Sequence, residues 1–293
     1  MNLIEINHLC KFYGRSRGID DLNLSVVAGD IFGFIGPNGA GKSTTIRILL
    51  NLIFPTSGSA RIFGLDVVKD SKKIRSQTGY VPSDASIYDR MKVMDFLKYV
   101  TSFYRVDNIQ ERIDRLLEVF DLDPGRKIAE LSMGNKKKVS IIQAMIHRPE
   151  LLILDEPTSG LDPLIQSKFF DLLYEENRQG TTIFFSSHTL SEVQSFCKTV
   201  AIIKAGNIVA VEEIATLRKK QLKKIRVTFP ESRDIRDLGL KGLGPIESGT
   251  GKTLVFMFSG EMNELIAKLA GLTVENLAIE EPSLEEIFLH YYQ

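Results

Sequence analysis

The sequence has 293 residues, 43% of them hydrophobic and 25% charged, with Lys+Arg and Asp+Glu equal at 37 each. That length suits one large domain with a smaller one attached, and zero formal net charge gives none of the long-range field of a general nucleic-acid binder, so no nucleic acid is expected as a partner. Two cysteines far apart, Cys10 and Cys197, make no disulfide framework, and with four scattered histidines they offer no zinc or haem spacing.

The start, MNLIEINHLCKFYG, has no long apolar run behind a basic end and does not read as a signal peptide. No stretch approaches the roughly 20 apolar residues that span a bilayer, so any work at a membrane is expected to pass through a partner. Asp30–Ile35 reads as a buried strand running into a Gly-rich turn, followed by helical period from Lys42 to Leu52. Residues from about Met91 to Ile146 carry helical periodicity with little strand character and read as a helical insertion. Leu151–Asp155 and Thr181–Ser186 read as two further buried strands, and Val200–Lys204 with Ile208–Val211 as a hairpin. Buried strands separated by helices predict an α/β fold with a mostly parallel sheet covered on both faces.

A basic run, Leu217–Lys224, marks a boundary, giving domains 1–220 and 221–293. In the second, Ile225–Phe229, Leu254–Phe258 and Thr273–Ile279 read as strands, and Glu261–Ala270 and Ser283–Tyr292 as helices: a small α+β domain without a residue that suggests chemistry.

Gly36-Pro37-Asn38-Gly39-Ala40-Gly41-Lys42-Ser43, followed by Thr44, fits G-x-x-x-x-G-K-[ST]. The glycines let the backbone curl so that N–H groups point inward at phosphate oxygens, and the following helix adds the partial positive charge of its N-terminus. Lys42 supplies a compact cation for the β and γ phosphates, and Ser43 a hydroxyl for Mg²⁺. Gly249–Thr253 also ends in Gly-Lys-Thr, but Ile246 stands where a glycine is needed and a strand follows, so it reads as a hairpin turn. Leu151–Asp155 is followed by Glu156; a buried strand ending in two acids presents them at the carboxyl edge of the sheet, beside the phosphate loop. Alternation along a strand would send the two side chains opposite ways, with Asp155 on Mg²⁺ and Glu156 as base for the attacking water. His188, just past the third strand, is placed to hydrogen-bond the γ-phosphate.

These motifs, in this order over residues 2–220, resemble the ATP-binding-cassette (ABC) family, in particular the nucleotide-binding subunit of a bacterial drug or peptide exporter. Leu131-Ser132-Met133-Gly134-Asn135 stands at the LSGGQ signature, Ser159-Gly160-Leu161-Asp162 at the D-loop, His188 at the switch histidine, and Tyr13 at the aromatic that stacks on adenine. The resemblance implies a P-loop NTPase core with an antiparallel β subdomain and a helical subdomain at about 88–148, with ATP and Mg²⁺ as cofactors. It also implies head-to-tail dimerisation with a second ATP-binding subunit, an identical one being expected. Ser132, Met133, Gly134 and Asn135 then face the partner's ATP. An integral membrane permease is the further partner, which puts the chain on the cytoplasmic face of the membrane, and the tail Glu281–Phe288 resembles the closing helix of efflux-type subunits.

Two departures stand out. Met133 and Asn135 replace a glycine and a glutamine of the signature, and activity is expected to survive this. Ser83, in Gly79-Tyr-Val-Pro82-Ser83, stands where the family's Q-loop has glutamine, and is too short to reach the metal in the same way. Lys136–Lys138 reads as a solvated face, and the resemblance implies that Ile87–Leu97, which by itself reads as an ordinary amphipathic helix, forms the groove for the permease's coupling helix. A soluble ABC ATPase of the translation or repair type is the alternative. The first usually carries two cassettes per chain, and the second a long coiled coil, whereas only about ninety residues without heptads separate Ser43 from Leu131. A nucleotide sensor that does not hydrolyse would not need Glu156 and His188.

Overall fold

A computed structural model describes residues 1–84, 90–104, 108–219 and 223–280. The chain divides into two compact units, Met1–Glu213 and Ile214–Gln293. The division precedes the expected Lys220–Gln221 junction because pairing in the first unit runs on to Glu213, opposite Thr199.

In chain order the first unit comprises strands β1 (Asn2–Tyr13), β2 (Ser16–Val27) and β3 (Ile31–Ile35), helix α1 (Lys42–Leu49), strands β4 (Ser57–Ile62) and β5 (Leu65–Asp66), helix α2 (Ser71–Ser76) and strand β6 (Thr78–Val81). Helices α3 (Val93–Thr101), α4 (Ile109–Val119) and α5 (Met133–Met145) follow. The unit closes with β7 (Leu151–Asp155), α6 (Pro163–Arg178), β8 (Thr182–Ser187), α7 (Leu190–Phe196), β9 (Thr199–Lys204) and β10 (Asn207–Glu213). The second unit holds α8 (Ile214–Lys219), β11 (Lys223–Asp234), β12 (Leu243–Ser248), β13 (Thr250–Phe258), α9 (Met262–Ala270) and β14 (Asn276–Glu280).

Six strands form the central sheet in the order β10-β9-β3-β8-β7-β6; β9, β3, β8, β7 and β6 pair in parallel and β10 antiparallel to β9. Every residue of β3, β7 and β8 is buried, which is why these strands read in sequence as unbroken apolar runs rather than as alternation. Phe184 of β8 packs on Phe32 and Phe34 of β3, ring centroids 5.8 and 5.2 Å apart. Glycine at position 33 lets α7 settle on the sheet: a Cβ there would lie 2.6 Å from Val193 Cγ1. A second, antiparallel sheet, β2-β1-β4-β5, shares the apolar core of the first unit, supplying the β subdomain expected from the family resemblance.

The expected helix from Lys42 to Leu52 stops at Leu49, because Asn51 takes a left-handed φ of 52°. Strands β1, β2, β4, β5, β6 and β12 and helices α2, α6, α7 and α8 are not anticipated individually; the short T-G-Y-V run hides β6, and the polar face of α6 hides that helix. The 91–146 region is helical as expected. The second unit has its own core around Phe229, Phe256 and Phe258 and a four-stranded antiparallel sheet, β12-β13-β11-β14. Gly249 falls at the turn between β12 and β13, which disposes of the second Gly-Lys-Thr as a phosphate site. The predicted helix Ser283–Tyr292 and the tail Glu281–Phe288 lie outside the described residues, as does part of the Ile87–Leu97 segment.

The helical layer is fastened by polar contacts. Arg112 of α4 and Glu176 of α6 are both almost fully buried, with Nη2 2.7 Å from Oε1, and the same Nη2 donates to the Met145 carbonyl at 3.1 Å. One turn along, Arg115 pairs with Glu175 at the surface, and that hydrogen bond holds the Glu175 carboxyl below its usual range. At the end of α5, His147 stacks on Tyr104, centroids 4.0 Å apart. Neither ring nitrogen of His147 has a hydrogen-bond partner among the described residues, and burial pushes its pKa down to about 4.

Two stability measurements test this account. Glu176→Ala strands the Arg112 guanidinium without its counter-charge and is expected to cost about 3–5 kcal/mol in urea unfolding, whereas Glu175→Ala at the surface costs at most about 1 kcal/mol. His147 stays neutral when folded but takes up a proton below about 6.5 when unfolded. Stability is therefore expected to fall by up to about 3 kcal/mol as pH drops from 6.5 to 4, and His147→Phe is expected to flatten that part of the profile.

Candidate functional site

β3 ends at Ile35 and the chain turns at once into the loop Gly36–Gly41 before entering α1. The loop is built around close backbone approaches. A Cβ on Gly36 would sit 2.3 Å from the Ile203 carbonyl oxygen, and one on Gly41 2.8 Å from that of Gly18, at a φ of 113° that only glycine adopts without strain. Gly39 is also left-handed, at 78°. Gly41 caps α1 without a side-chain hydrogen bond, so the first-turn N–H groups are offered to whatever lies in the bend. Lys42 is buried, its Nζ donating to the carbonyls of Gly36 at 2.6 Å and Pro37 at 3.2 Å. Ser43 and Thr44 are half-buried beside it.

Parallel pairing brings the other residues to the same edge. Ile35 pairs with Ser187 of β8 and Asp155 of β7 with Ser186, so all three strands end level. Asp155 is buried, and Ser186 Oγ donates to its Oδ1 at 2.6 Å. Glu156 does not continue the strand, as simple alternation predicts: its φ is 47°, and its N–H donates to the Ser186 carbonyl at 3.1 Å. That turn aims the carboxylate across the edge. Glu156 Oε1 lies 3.6 Å from Lys42 Nζ and 3.2 Å from His188 Nδ1. Three residues from three separate stretches of chain thus meet at the mouth of the loop. Tyr13 is half-exposed at the end of β1. Its ring and Thr44 Cγ2 flank Gly18, at 3.0 and 3.2 Å from where a Cβ would stand, so Tyr13 borders the start of α1.

The signature residues lie elsewhere. Ser132 caps α5, accepting from the Asn135 N–H at 3.3 Å, and Met133 is 82% exposed. Gly134 faces the D-loop: a Cβ there would lie 2.5 Å from the Gly160 carbonyl oxygen. Asp162 caps α6, accepting from the Ile165 N–H at 3.0 Å. Both motifs thus open helices within the single chain, and the Ser132–Asn135 turn packs on the loop that leads away from Glu156.

Two residues escaped the sequence reading. Ser186 is placed by register opposite Asp155, a pairing that only the sheet order reveals. Lys137 corrects the expectation of a solvated basic face: it is 3% exposed, and its Nζ donates to the carbonyls of Pro82 at 2.8 Å and Ser83 at 3.1 Å. Burial pushes its pKa down to about 8, against the opposing pull of Asp155, Asp84 and Glu156. Ser83, at the Q-loop position, is thereby held through its backbone.

A glycine-lined bend between a buried strand and a helix, faced by an acid-ended neighbouring strand, defines a P-loop nucleoside-triphosphate hydrolase. The ABC transporter family matches residues 19–159. Over 98% of this chain and 96% of the relative, the sequence is 34% identical to the bacitracin transport ATP-binding protein BcrA of Bacillus licheniformis. It is 30% identical to the Nod factor export ATP-binding protein I of Cupriavidus metallidurans, again over 98% and 96%. A solved ATP-binding subunit of an ABC transporter superposes with a TM-score of 0.70 at 29% identity, covering 74% of this chain and 92% of that one. The chain belongs to the ATP-binding subunits of ABC transporters and is an ATPase of that family. The exporter-type resemblance holds, and the translation- and repair-type alternative falls away.

The Gly134–Gly160 approach has a measurable consequence. Gly134→Ala forces the α5 turn and the Gly160 loop apart, and is expected to cost about 1–3 kcal/mol. The loss is to be read as a melting temperature several degrees lower with no nucleotide added.

Proposed function

We propose that this chain is the motor subunit of a two-component exporter, with Glu156 as the base that activates water at the γ-phosphate. The observation that carries this is the meeting of Glu156, Lys42 and His188 at one loop mouth. Lys42 and the first-turn N–H groups of α1 bind the phosphates, with Pro37, Asn38 and Ala40 completing the bend, and Tyr13 stacks on the base. His188 hydrogen-bonds the γ-phosphate and steadies the Glu156 carboxylate.

The donor set fits magnesium. Ser43 offers a hydroxyl and Asp155 a carboxylate, hard oxygens of the kind Mg²⁺ takes, and Ser186 fixes the Asp155 orientation. No group of three or more His, Cys, Asp or Glu that could cage an ion occurs among the described residues, which suits a metal that shares its coordination with phosphate and water. When bound, the ion neutralises charge on the transferring phosphoryl group. The remaining work falls to this chain: positioning, and polarisation of water by Glu156.

The Ser132–Asn135 turn opens a helix and presents a second N-terminus suited to anions. We assign it to the ATP of a second copy, closing head to tail with Asp162 near the seam. The permease is assigned to the cavity of about 190 Å³ lined by Leu50, Leu52, Arg75, Tyr80, Tyr104 and His147. Leu52 of that lining is itself an exposed apolar side chain. No helix among the described residues is long and apolar enough to cross a membrane, which is consistent with peripheral attachment at the cytoplasmic face through that partner. The relatives named for bacitracin transport, multidrug transport and Nod factor export favour a drug, an antibiotic or a peptide as cargo.

Glu156→Gln keeps the shape of the side chain and removes the base. ATP is expected to bind with affinity close to wild type while turnover falls about 10²–10⁴-fold, measured by nucleotide binding and phosphate release on the same preparation. Near-normal turnover would remove Glu156 from the role.

A further inference from the structure

We infer that Lys137 is a positioning residue of the hydrolytic centre, tying the helix behind the Ser132–Asn135 turn to the backbone that follows β6. The inference rests on the reading of Asp155 and Glu156 as the hydrolytic acids, and extends it to a residue outside the phosphate loop.

Lys137 lies one turn inside α5, and its ammonium reaches back across 55 residues of sequence to the Pro82 carbonyl and 54 to that of Ser83. A buried ammonium carries a heavy desolvation cost, which a helix needing only packing would avoid with an apolar side chain. Two of its three protons are committed to consecutive carbonyls, so the contact fixes the direction of the Pro82–Ser83 peptide as well as its distance. The position is decisive: β6 is the direct neighbour of β7, with Val81 paired to Leu154, and so the loop leaves the sheet beside Asp155 and Glu156. The opposite end of the same helix segment carries the Ser132 cap and the Gly134 contact to Gly160. Gly160 in turn lies four residues beyond Glu156. Lys137 therefore closes a ring of contacts, from the α5 turn to the loop after β7, through β7 to β6, and back to α5. Movement of the α5 turn passes to both sides of the acids together. Serine at position 83 has too short a side chain to bridge this gap, and the lysine reaches across from the other wall.

The test compares Lys137→Met, which keeps length and apolar stem, with Lys137→Arg, which keeps charge and donors. Each is measured in the full-length chain for steady-state ATP hydrolysis, melting temperature, and deuterium exchange of peptides covering 78–84. Lys137→Met is expected to leave KM for ATP within about threefold, to lower kcat at least about tenfold, and to raise exchange in 78–84 at least about twofold. Lys137→Arg is expected to restore most of kcat. Unchanged kcat in a folded Lys137→Met variant overturns the inference. So does a loss of melting temperature with exchange in 78–84 unaltered, which would make Lys137 merely structural. If the wild-type chain hydrolyses no ATP, the reading of Glu156 fails instead, and the exchange data still decide whether Lys137 holds the loop.

Discussion

The site depends on one constraint: β3, β8 and β7 pair in parallel and end level. Ile35 opposite Ser187 and Asp155 opposite Ser186 set the phosphate loop, the histidine and the two acids on one edge, although the loop lies more than a hundred residues from the others in sequence. Strands buried on both faces hold this register through particular contacts rather than through alternation: glycine must stand at 33 where Val193 approaches, and Phe184 must meet Phe32 and Phe34. The chemistry is therefore fixed by packing some distance below it, in the Phe32–Phe184–Phe34 stack and the glycine at 33 that lets α7 approach.

Against that frame, the legible and the hidden parts of the site separate cleanly. The phosphate loop is local: strand, glycines, lysine and helix follow one another between Ile31 and Leu49, so spacing alone carries it. β3, β7 and β8 were legible because full burial writes itself as an apolar run. Lys137 and Ser186 were hidden for the opposite reason. A lysine in a run of three reads as a solvated face until a tertiary partner appears, and a serine at a strand end has no local signature of its acidic neighbour. β6 and α6 were missed because a four-residue strand and an amphipathic helix with modest polarity contrast leave weak periodic signals. The turn at Glu156 defeats a rule that is otherwise sound. Alternation holds only while the backbone stays extended, and the left-handed residue after Asp155 redirects the second carboxylate.

The motifs taken from family resemblance behave differently from those read by chemistry. Within one chain Ser132 and Asp162 do ordinary work as helix caps, which is all that local sequence would have claimed for them. Their assignment to a partner's nucleotide draws on a second copy, and on the orientation in which these capped turns face outward. One set of residues can serve both ends, since a cap uses the side-chain oxygen and leaves much of the first turn's N–H surface available.

The joint between α4 and α6 carries a consequence for how the helical layer responds to its medium. Its two pairs, Arg112–Glu176 and Arg115–Glu175, lie one turn apart, one sealed from water and one bathed in it. Dissolved ions screen only the outer pair, whose attraction fades as the Debye length shrinks from about 10 Å at 0.1 M to about 3 Å at 1 M. Rising salinity thus weakens the outer tie and leaves the inner one almost untouched. At high salt the tie between α4 and α6 therefore rests mainly on Arg112 and Glu176.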